Sequence, residues 1–271
     1  MRFSERELDR YARQMVLPEL GGRGQERLRG GSVLLVGVGG LGAPAGLYLA
    51  AAGVGRLVLV DDDTVALGNL QRQVLYTSAD VDRAKVEAAA ERLAALNPEI
   101  ALEPRRERFT AANGDDLSAA VDLVLDGSDS FATRATVAAA AARTRRPLVS
   151  GSVQGFEGQA TVFAPFTAAE APCFRCLFPE DPPADALPTC ALGGILGPVA
   201  GQLGALMASE AVKWLLGLGP SLVGTLLLVD GLSARSDRIT LGRRAGCAGH
   251  GAAHPDVNFK ETSLAPPERD R

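Results

Sequence analysis

The chain has 271 residues, 46% of them hydrophobic and 22% charged, and its 28 Lys+Arg against 32 Asp+Glu give a net charge of −4. That composition excludes wholesale disorder and allows one or two domains around a large buried core. The charge balance argues against a broad nucleic-acid surface, and 5% aromatic residues argue against a base-stacking platform.

The N-terminus, Met1 to Glu7, is charged and has no apolar signal core. Ser4-x-x-Glu7 has capping-box form, and the apolar spacing after it predicts an amphipathic helix over 5–14. A glycine cluster at 21–24 precedes a short helix over 24–29. Ser32-Val33-Leu34-Leu35-Val36 reads as a buried parallel strand, glycines follow at 37, 39, 40 and 42, and Ala43–Ala52 is a helix stopped by Gly53. Leu57–Val60 is a second buried strand ending in Asp61-Asp62-Asp63. A helix is predicted over 82–96, strands over 100–103 and 121–125, a helix over 131–142, and a strand from Pro147. Beyond residue 150 the pattern shifts to strands at 159–163, 224–229 and 237–241, with a Pro-rich loop and a Gly-rich helix near 196–216 between them. The stretch Leu192–Leu218 is broken by six glycines, Pro198, Gln202, Glu210 and Lys213, so it reads as a buried helix and not a membrane span. Strand alternating with helix implies an α/β fold: a Rossmann-like, doubly wound, mostly parallel sheet with an antiparallel C-terminal extension. Residues 251–271 are expected to be a flexible tail.

Gly37-x-Gly39-x-x-Gly42 lies between a strand and a helix, where glycines let the backbone approach phosphates and the helix N-terminus offers free N–H groups. Asp61, at the end of the next strand, is placed to hydrogen-bond a ribose. Alone this is the fingerprint of an NAD(P)-dependent oxidoreductase, which stands as the alternative reading. The residues downstream argue otherwise. Asn69-Leu70-Gln71-Arg72-Gln73, Lys85 and Asp129 bring amides, two cations and an acid to the same sheet edge, a set suited to a nucleoside triphosphate with Mg²⁺. Neither histidine lies in the sheet region to relay a proton. Taken singly, Arg72 and Lys85 read as solvated charges and Asp129 as the N-cap of the helix at 131.

The runs Arg10-Tyr11-Ala12-Arg13-Gln14 with Leu17-Pro18, Gly37–Gly42, Ala51–Gly55, Asp61-x-Asp63-x-Val65, Asn69–Gln73 and Asp126-Gly127-x-Asp129 together resemble the ThiF/MoeB family, relatives of the ubiquitin-activating enzymes. The likeness continues through Gly151-Ser152-Val153, Gly158-Gln159, Pro172–Pro179 and Cys190, and so covers about residues 8–250. It implies a single adenylation domain over 1–250: a helical arm (1–30), a nucleotide-binding core (31–150) and a carrier-binding, zinc-containing half (151–250). It also implies an ATP-dependent adenylyltransferase acting on a ubiquitin-fold sulfur carrier that ends in Gly-Gly, for molybdopterin or thiamine thiazole synthesis. The carrier's carboxylate would attack the α-phosphate, giving an acyl-adenylate and pyrophosphate. Carried over by position, Gly37, Gly39, Gly40 and Gly42 lie against the nucleotide and Asp61 takes the ribose. Asn69, Arg72 and Lys85 bind phosphates, Asp129 coordinates Mg²⁺, and Asp63, Gln71 and Ser130 complete the nucleotide set. Arg13 would reach the phosphates of the neighbouring protomer in a homodimer. The chain ends near residue 271, so no rhodanese domain is expected and a separate sulfur donor is implied. A silent scaffold that only docks a ubiquitin-fold partner is disfavoured by the intact charged set. No nucleic-acid or membrane partner is expected.

With no signal sequence, the four cysteines place the chain in a reducing, cytoplasmic setting, where metal or nucleophile roles outweigh disulfides. Cys173-x-x-Cys176 is half of a zinc site. Where the family has a second Cys-x-x-Cys, this chain has Cys247-Ala248-Gly249-His250, a Cys₃His set in which His254 competes as fourth ligand. Cys190 sits in Leu187-Pro188-Thr189-Cys190-Ala191, a placement that resembles a crossover loop whose cysteine bonds to the carrier in some relatives. The acid often found two residues beyond it is Leu192 here, so covalent and inert roles for Cys190 both stand.

Overall fold

The structure, a computed structural model, describes residues 3–181 and 194–250. Cys190 and His254 lie outside the described residues. Five parallel strands come first: β1 (Ser32–Val36), β2 (Arg56–Val60), β3 (Ala101–Arg105), β4 (Leu123–Asp126) and β5 (Leu148–Gln154). Three antiparallel strands extend the same sheet: β6 (Glu157–Phe163), β7 (Thr225–Asp230) and β8 (Arg235–Thr240). The order is β3-β2-β1-β4-β5-β6-β7-β8. The direction of winding reverses between β1 and β4, and in such sheets the crevice beyond those two strand ends is where ligands bind.

Alternation along the strands feeds two apolar layers. On one face Val33, Leu35, Leu57 and Leu59 pack with α3 (Gly42–Ala52), α4 (Lys85–Leu96) and α8 (Gly197–Leu216). On the other, Leu34, Val36, Val58 and Val60 meet α6 (Phe131–Arg143). The short helices α5 (Gly114–Ala119) and α7 (Phe174–Leu177) send Leu117 and Phe174 into that second layer. Four of the five residues of β1 and of β2 are buried, as expected of strands covered by helices on both sides.

At the N-terminus, α1 (Glu5–Met15) carries the capping box: Glu7 N donates to Ser4 Oγ (3.1 Å) and Ser4 N to Glu7 Oε2 (2.8 Å). Its buried Tyr11 and the following α2 (Gly21–Gly30) hold it to the body. α8 reads as greasy but holds a buried Glu210, whose Oε2 accepts the N–H of Leu222 (2.9 Å) and whose Oε1 pairs with Lys213. No helix among the described residues is long and apolar enough to cross a membrane.

The boundaries depart from expectation in places with identifiable causes. α4 starts at Lys85 and not at 82, because Asp82 adopts a left-handed φ of 69° and Thr64 bridges Ala84. The N-cap of α6 is Ser130, whose Oγ accepts from Thr133 N (3.1 Å), so Asp129 is not the cap. α5 was not foreseen.

Candidate active site

The cleft at the switch point is built first from glycines. Gly37, at φ 82°, ends β1 in a conformation that side chains resist. Its carbonyl lies so close to Gly42 that a Cβ there would sit 1.9 Å away. The turn therefore closes only with glycine, and it delivers the chain into α3, whose first bond runs from Ala43 N to Gly39 O (2.9 Å). Tyr76 fixes the outer side of the loop, its buried hydroxyl donating to Val38 O at 2.8 Å. Burial pushes the Tyr76 phenol far above its ordinary range, so it remains a neutral donor.

Asp61, at the end of β2, accepts N–H groups from Val38 (2.9 Å, Oδ2) and Asp63 (2.9 Å, Oδ1). Burial raises its pKa, opposed by nearby Lys85 and by those backbone donors. Lys85, 5% exposed at the start of α4, donates to Asp63 Oδ2 (2.7 Å), with Asp61 Oδ1 3.9 Å away. Across the cleft, β4 ends at Asp126 and runs into Gly127-Ser128-Asp129-Ser130. Asp126 Oδ1 accepts from Ser128 N (3.0 Å) and Ser128 Oγ (2.6 Å), which ties that loop down. Burial raises the pKa of Asp126 as well.

Of the residues singled out in the sequence, the structure gathers Gly37, Gly39, Gly40, Asp61, Asp63, Arg72, Lys85, Asp129 and Ser130 around this one cleft. Gly42 shapes the turn from below. Asn69, Gln71 and Arg13 do not line it. The Gln71 carbonyl packs against Gly197 of α8, so close that a Cβ at Gly197 would lie 2.2 Å from it, and Arg13 is exposed on α1. The amide in the cleft is instead Gln73, 4% exposed and beside Gly39, with its Oε1 lacking a hydrogen-bond partner among the described residues. Sequence reasoning also missed Arg108, Thr133 and Arg134, which line the same space. Arg134 had a signal, one helical turn after the capping Ser130. The cleft thus combines two cations, Arg72 and Lys85, and the free N–H end of α3 with acids at Asp61 and Asp129. Such a site can neutralise an oligophosphate and also hold a cation or hydroxyl.

A second cluster sits at the far side of α6. Cys173 and Cys176 of the α7 turn meet Cys247 and His250: Cys173 Sγ lies 3.8 Å from Cys176 Sγ and 3.7 Å from Cys247 Sγ, and Cys176 Sγ lies 3.2 Å from His250 Nε2. The four ligand atoms fall within 4.8 Å of one another. Tetrahedral zinc with Zn–S of about 2.3 Å has a sulfur–sulfur edge of about 3.8 Å, so the donor set fits that ion in both chemistry and spacing. Burial pushes the Cys173 thiol up to about 12. At Cys247 burial acts the same way, but hydrogen bonds from Gly249 N–H and the neighbouring thiols hold it below the ordinary value.

Comparison with known proteins agrees with the fold and the motifs. The ThiF family matches residues 11–249. The chain is 48% identical over 249 residues to the sulfur carrier protein adenylyltransferase of Thermus thermophilus, covering 91% of this chain and 92% of that one. It is 42% identical over 254 residues to the sulfur carrier protein ThiS adenylyltransferase of Escherichia coli, covering 94% and 99%. To the adenylyltransferase and sulfurtransferase MOCS3 of Sus scrofa it is 50% identical over 242 residues, covering 89% of this chain but spanning only 52% of that protein. Among solved structures, E. coli MccB with MccA-N7isoASN superposes with a TM-score of 0.78 at 20% identity, covering 91% of this chain and 74% of that one, which is a likeness of fold.

Proposed function

The chain belongs to the ThiF family, and from that membership we propose that it is an ATP-dependent adenylyltransferase for the C-terminal carboxylate of a ubiquitin-fold sulfur-carrier protein. The carrier would serve molybdopterin or thiamine thiazole synthesis, with sulfur supplied by a separate donor in the cytoplasm. The observation that carries the reading is the single cleft in which the glycine turn, Asp61, Arg72, Lys85 and Asp129 converge. Hydride transfer itself needs no such charge set, and the curated relatives are named adenylyltransferases, which weighs against the oxidoreductase alternative.

In this reading the turn from Gly37 to Gly42 cradles the phosphates and Asp61 accepts a ribose hydroxyl. Arg72 and Lys85 neutralise phosphate charge. The free carboxylate oxygen of the carrier attacks the α-phosphorus. A C(O)O–P bond forms, the bond from that phosphorus to the α,β-bridging oxygen breaks, and the electron pair leaves with pyrophosphate. No proton need move, so positioning and charge neutralisation supply most of the acceleration. Asp129 would hold a Mg²⁺ ion, which would supply further neutralisation of phosphate charge. Asn69 and Gln71 keep only a supporting role in shaping the segment that presents Arg72 and Gln73. Arg13 is exposed on α1 and does not line its own chain's cleft, so its proposed role requires a homodimer in which the partner subunit's Arg13 reaches the phosphates.

Zn²⁺, held by Cys173, Cys176, Cys247 and His250, would cross-link the α7 turn to the C-terminal segment and take no part in the chemistry. For Cys190, full sulfur transfer by Cys190→Ala in a reconstituted assay would assign it an inert role, and loss of transfer with adenylation intact would assign it the acyl acceptor. Adenylation itself is tested by exchange of labelled pyrophosphate into ATP. Exchange should require both Mg²⁺ and a Gly-Gly-ending carrier and should vanish in Asp129→Ala. Carrier-independent exchange, or none with any carrier, contradicts the reading.

A further inference from the structure

A groove runs over the open face of the antiparallel strands, from Arg235 and Asp237 on β8 past Leu228 and Gln159 to the end of the nucleotide cleft. Three residues line both spaces: Asp129, Val153 and Arg134. The junction between cleft and groove is therefore a defined place, with one cation in its wall.

Arg134 is the groove's one cation without an ion pair among the described residues. The groove is otherwise acidic, with Glu157, Asp230 and Asp237 alongside Asp129, and its other cation, Arg235, is already paired with Asp237 (2.6 Å). Arg134 forms no ion pair among the described residues. Its guanidinium is held from behind: Nε and Nη2 both donate to the Ser128 carbonyl, at 3.2 and 3.1 Å. This clamp fixes the plane of the guanidinium and leaves Nη1 without a hydrogen bond among the described residues. The charge of Arg134 lowers the pKa of the buried Asp126 against the effect of burial, yet Asp126 Oδ2 has no hydrogen-bond partner among the described residues. The site thus keeps a positive, pre-oriented donor at a point where most neighbours are negative.

We propose that Arg134 binds the incoming carboxylate: an extended peptide C-terminus enters along the groove, and Arg134 Nη1 holds one of its terminal oxygens at the cleft while the other faces the α-phosphate. This rests on the adenylation reading above and assigns that reaction a residue that the sequence motifs do not single out. The need is electrostatic. A carboxylate approaching a polyphosphate past Asp129, Glu157 and Asp230 is repelled at every step, and one fixed cation at the junction offsets that repulsion where the two anions meet. An arginine suits the place better than a lysine. Its planar fork can grip the Ser128 carbonyl with one edge and present a donor on the other.

The rival explanation is that Arg134 only shapes the Ser128 loop, and through it the placement of Asp129. The two roles separate in the kinetic constants. Arg134→Lys, Arg134→Gln and Arg134→Ala would be assayed by pyrophosphate exchange with the carrier that supports exchange by the unsubstituted enzyme. MgATP affinity would be measured separately by calorimetry without carrier. Truncating one partner of a desolvated charge pair predicts that Gln and Ala lower kcat/KM for the carrier by at least about thirty-fold. Lys should retain a substantial part of the activity, and in every variant MgATP affinity should fall much less than kcat/KM does. If MgATP affinity falls in step with kcat/KM, or if Gln matches Lys, Arg134 acts through the loop and the proposal is overturned. If the unsubstituted enzyme shows no exchange with any carrier, the adenylation reading fails first and the proposal falls with it, an outcome distinct from a failure confined to the Arg134 variants.

Discussion

A Cβ at position 42 would lie 1.9 Å from the Gly37 carbonyl, a contact that no rotamer relieves because both partners are backbone. Gly42→Ala should therefore reopen the turn, cost about 1–3 kcal/mol of stability and abolish detectable MgATP binding by calorimetry. Unchanged binding would show that the turn does not hold the nucleotide. Asp61 makes a second prediction. Burial raises its pKa, and the ionised form is the stronger acceptor for a ribose hydroxyl alongside the Val38 and Asp63 N–H groups. As pH falls, the carboxylate is lost at a pH above the usual aspartate value, so MgATP affinity should decline there in the unsubstituted enzyme. In Asp61→Asn the affinity should be weaker and should lack that pH step. At this scale the sequence was informative where geometry forces a residue type, as at Gly37, Gly42 and Asp61. It was not informative for Gln73 against Gln71. Two amides two positions apart in an irregular segment look alike in sequence, and only the packing of the Gln71 carbonyl against Gly197 decides which one faces the cleft. Asp126 was quoted as part of a motif, but nothing in the sequence shows that its carboxylate is buried.

The elements that position the site were legible in proportion to their burial. β1 and β2 are short branched runs covered on both sides, so composition alone marks them. α5 was missed because Gly114-Asp115-Asp116-Leu117-Ser118-Ala119 offers one large apolar residue and no periodicity. β8 is exposed throughout, and its charges Arg235, Asp237 and Arg238 are those expected of a protected sheet edge, so its limits were displaced by two residues at the start. The packing of α8 on α3 depends on Gly204, where a Cβ would come within 2.5 Å of the Leu41 carbonyl and of Pro44. Gly204→Val should push the two helices apart, destabilise the fold by about 1–3 kcal/mol and disturb the phosphate loop that leads into α3. Thermal melting with and without MgATP checks this, and a variant as stable and as nucleotide-responsive as the parent would contradict it.

On the scale of the whole molecule, one continuous sheet carries the nucleotide cleft beyond its parallel half and an open face on its antiparallel half, so the proposed carrier route adjoins the nucleotide cleft on one body. The thiol cluster joins residues 173–176 to 247–250 at the edge of that body. If it holds structural zinc, the purified protein should contain one equivalent, and chelation or Cys247→Ser should lower Tm by more than about 5 °C while leaving residual adenylation. No change in Tm would contradict a structural role. The proposed homodimer has its own test: Arg13→Ala and Asp129→Ala, each inactive alone, should regain activity when mixed and allowed to exchange subunits. Failure to regain any would remove Arg13 from the partner's cleft. The central claim concerns a covalent product, and the most direct measurement is intact-mass analysis of a Gly-Gly-ending carrier after incubation with the enzyme, MgATP and pyrophosphatase. A carrier heavier by one AMP less one water, absent with Asp129→Ala, is the predicted result. A carrier of unchanged mass with every candidate from the same genome would contradict the account.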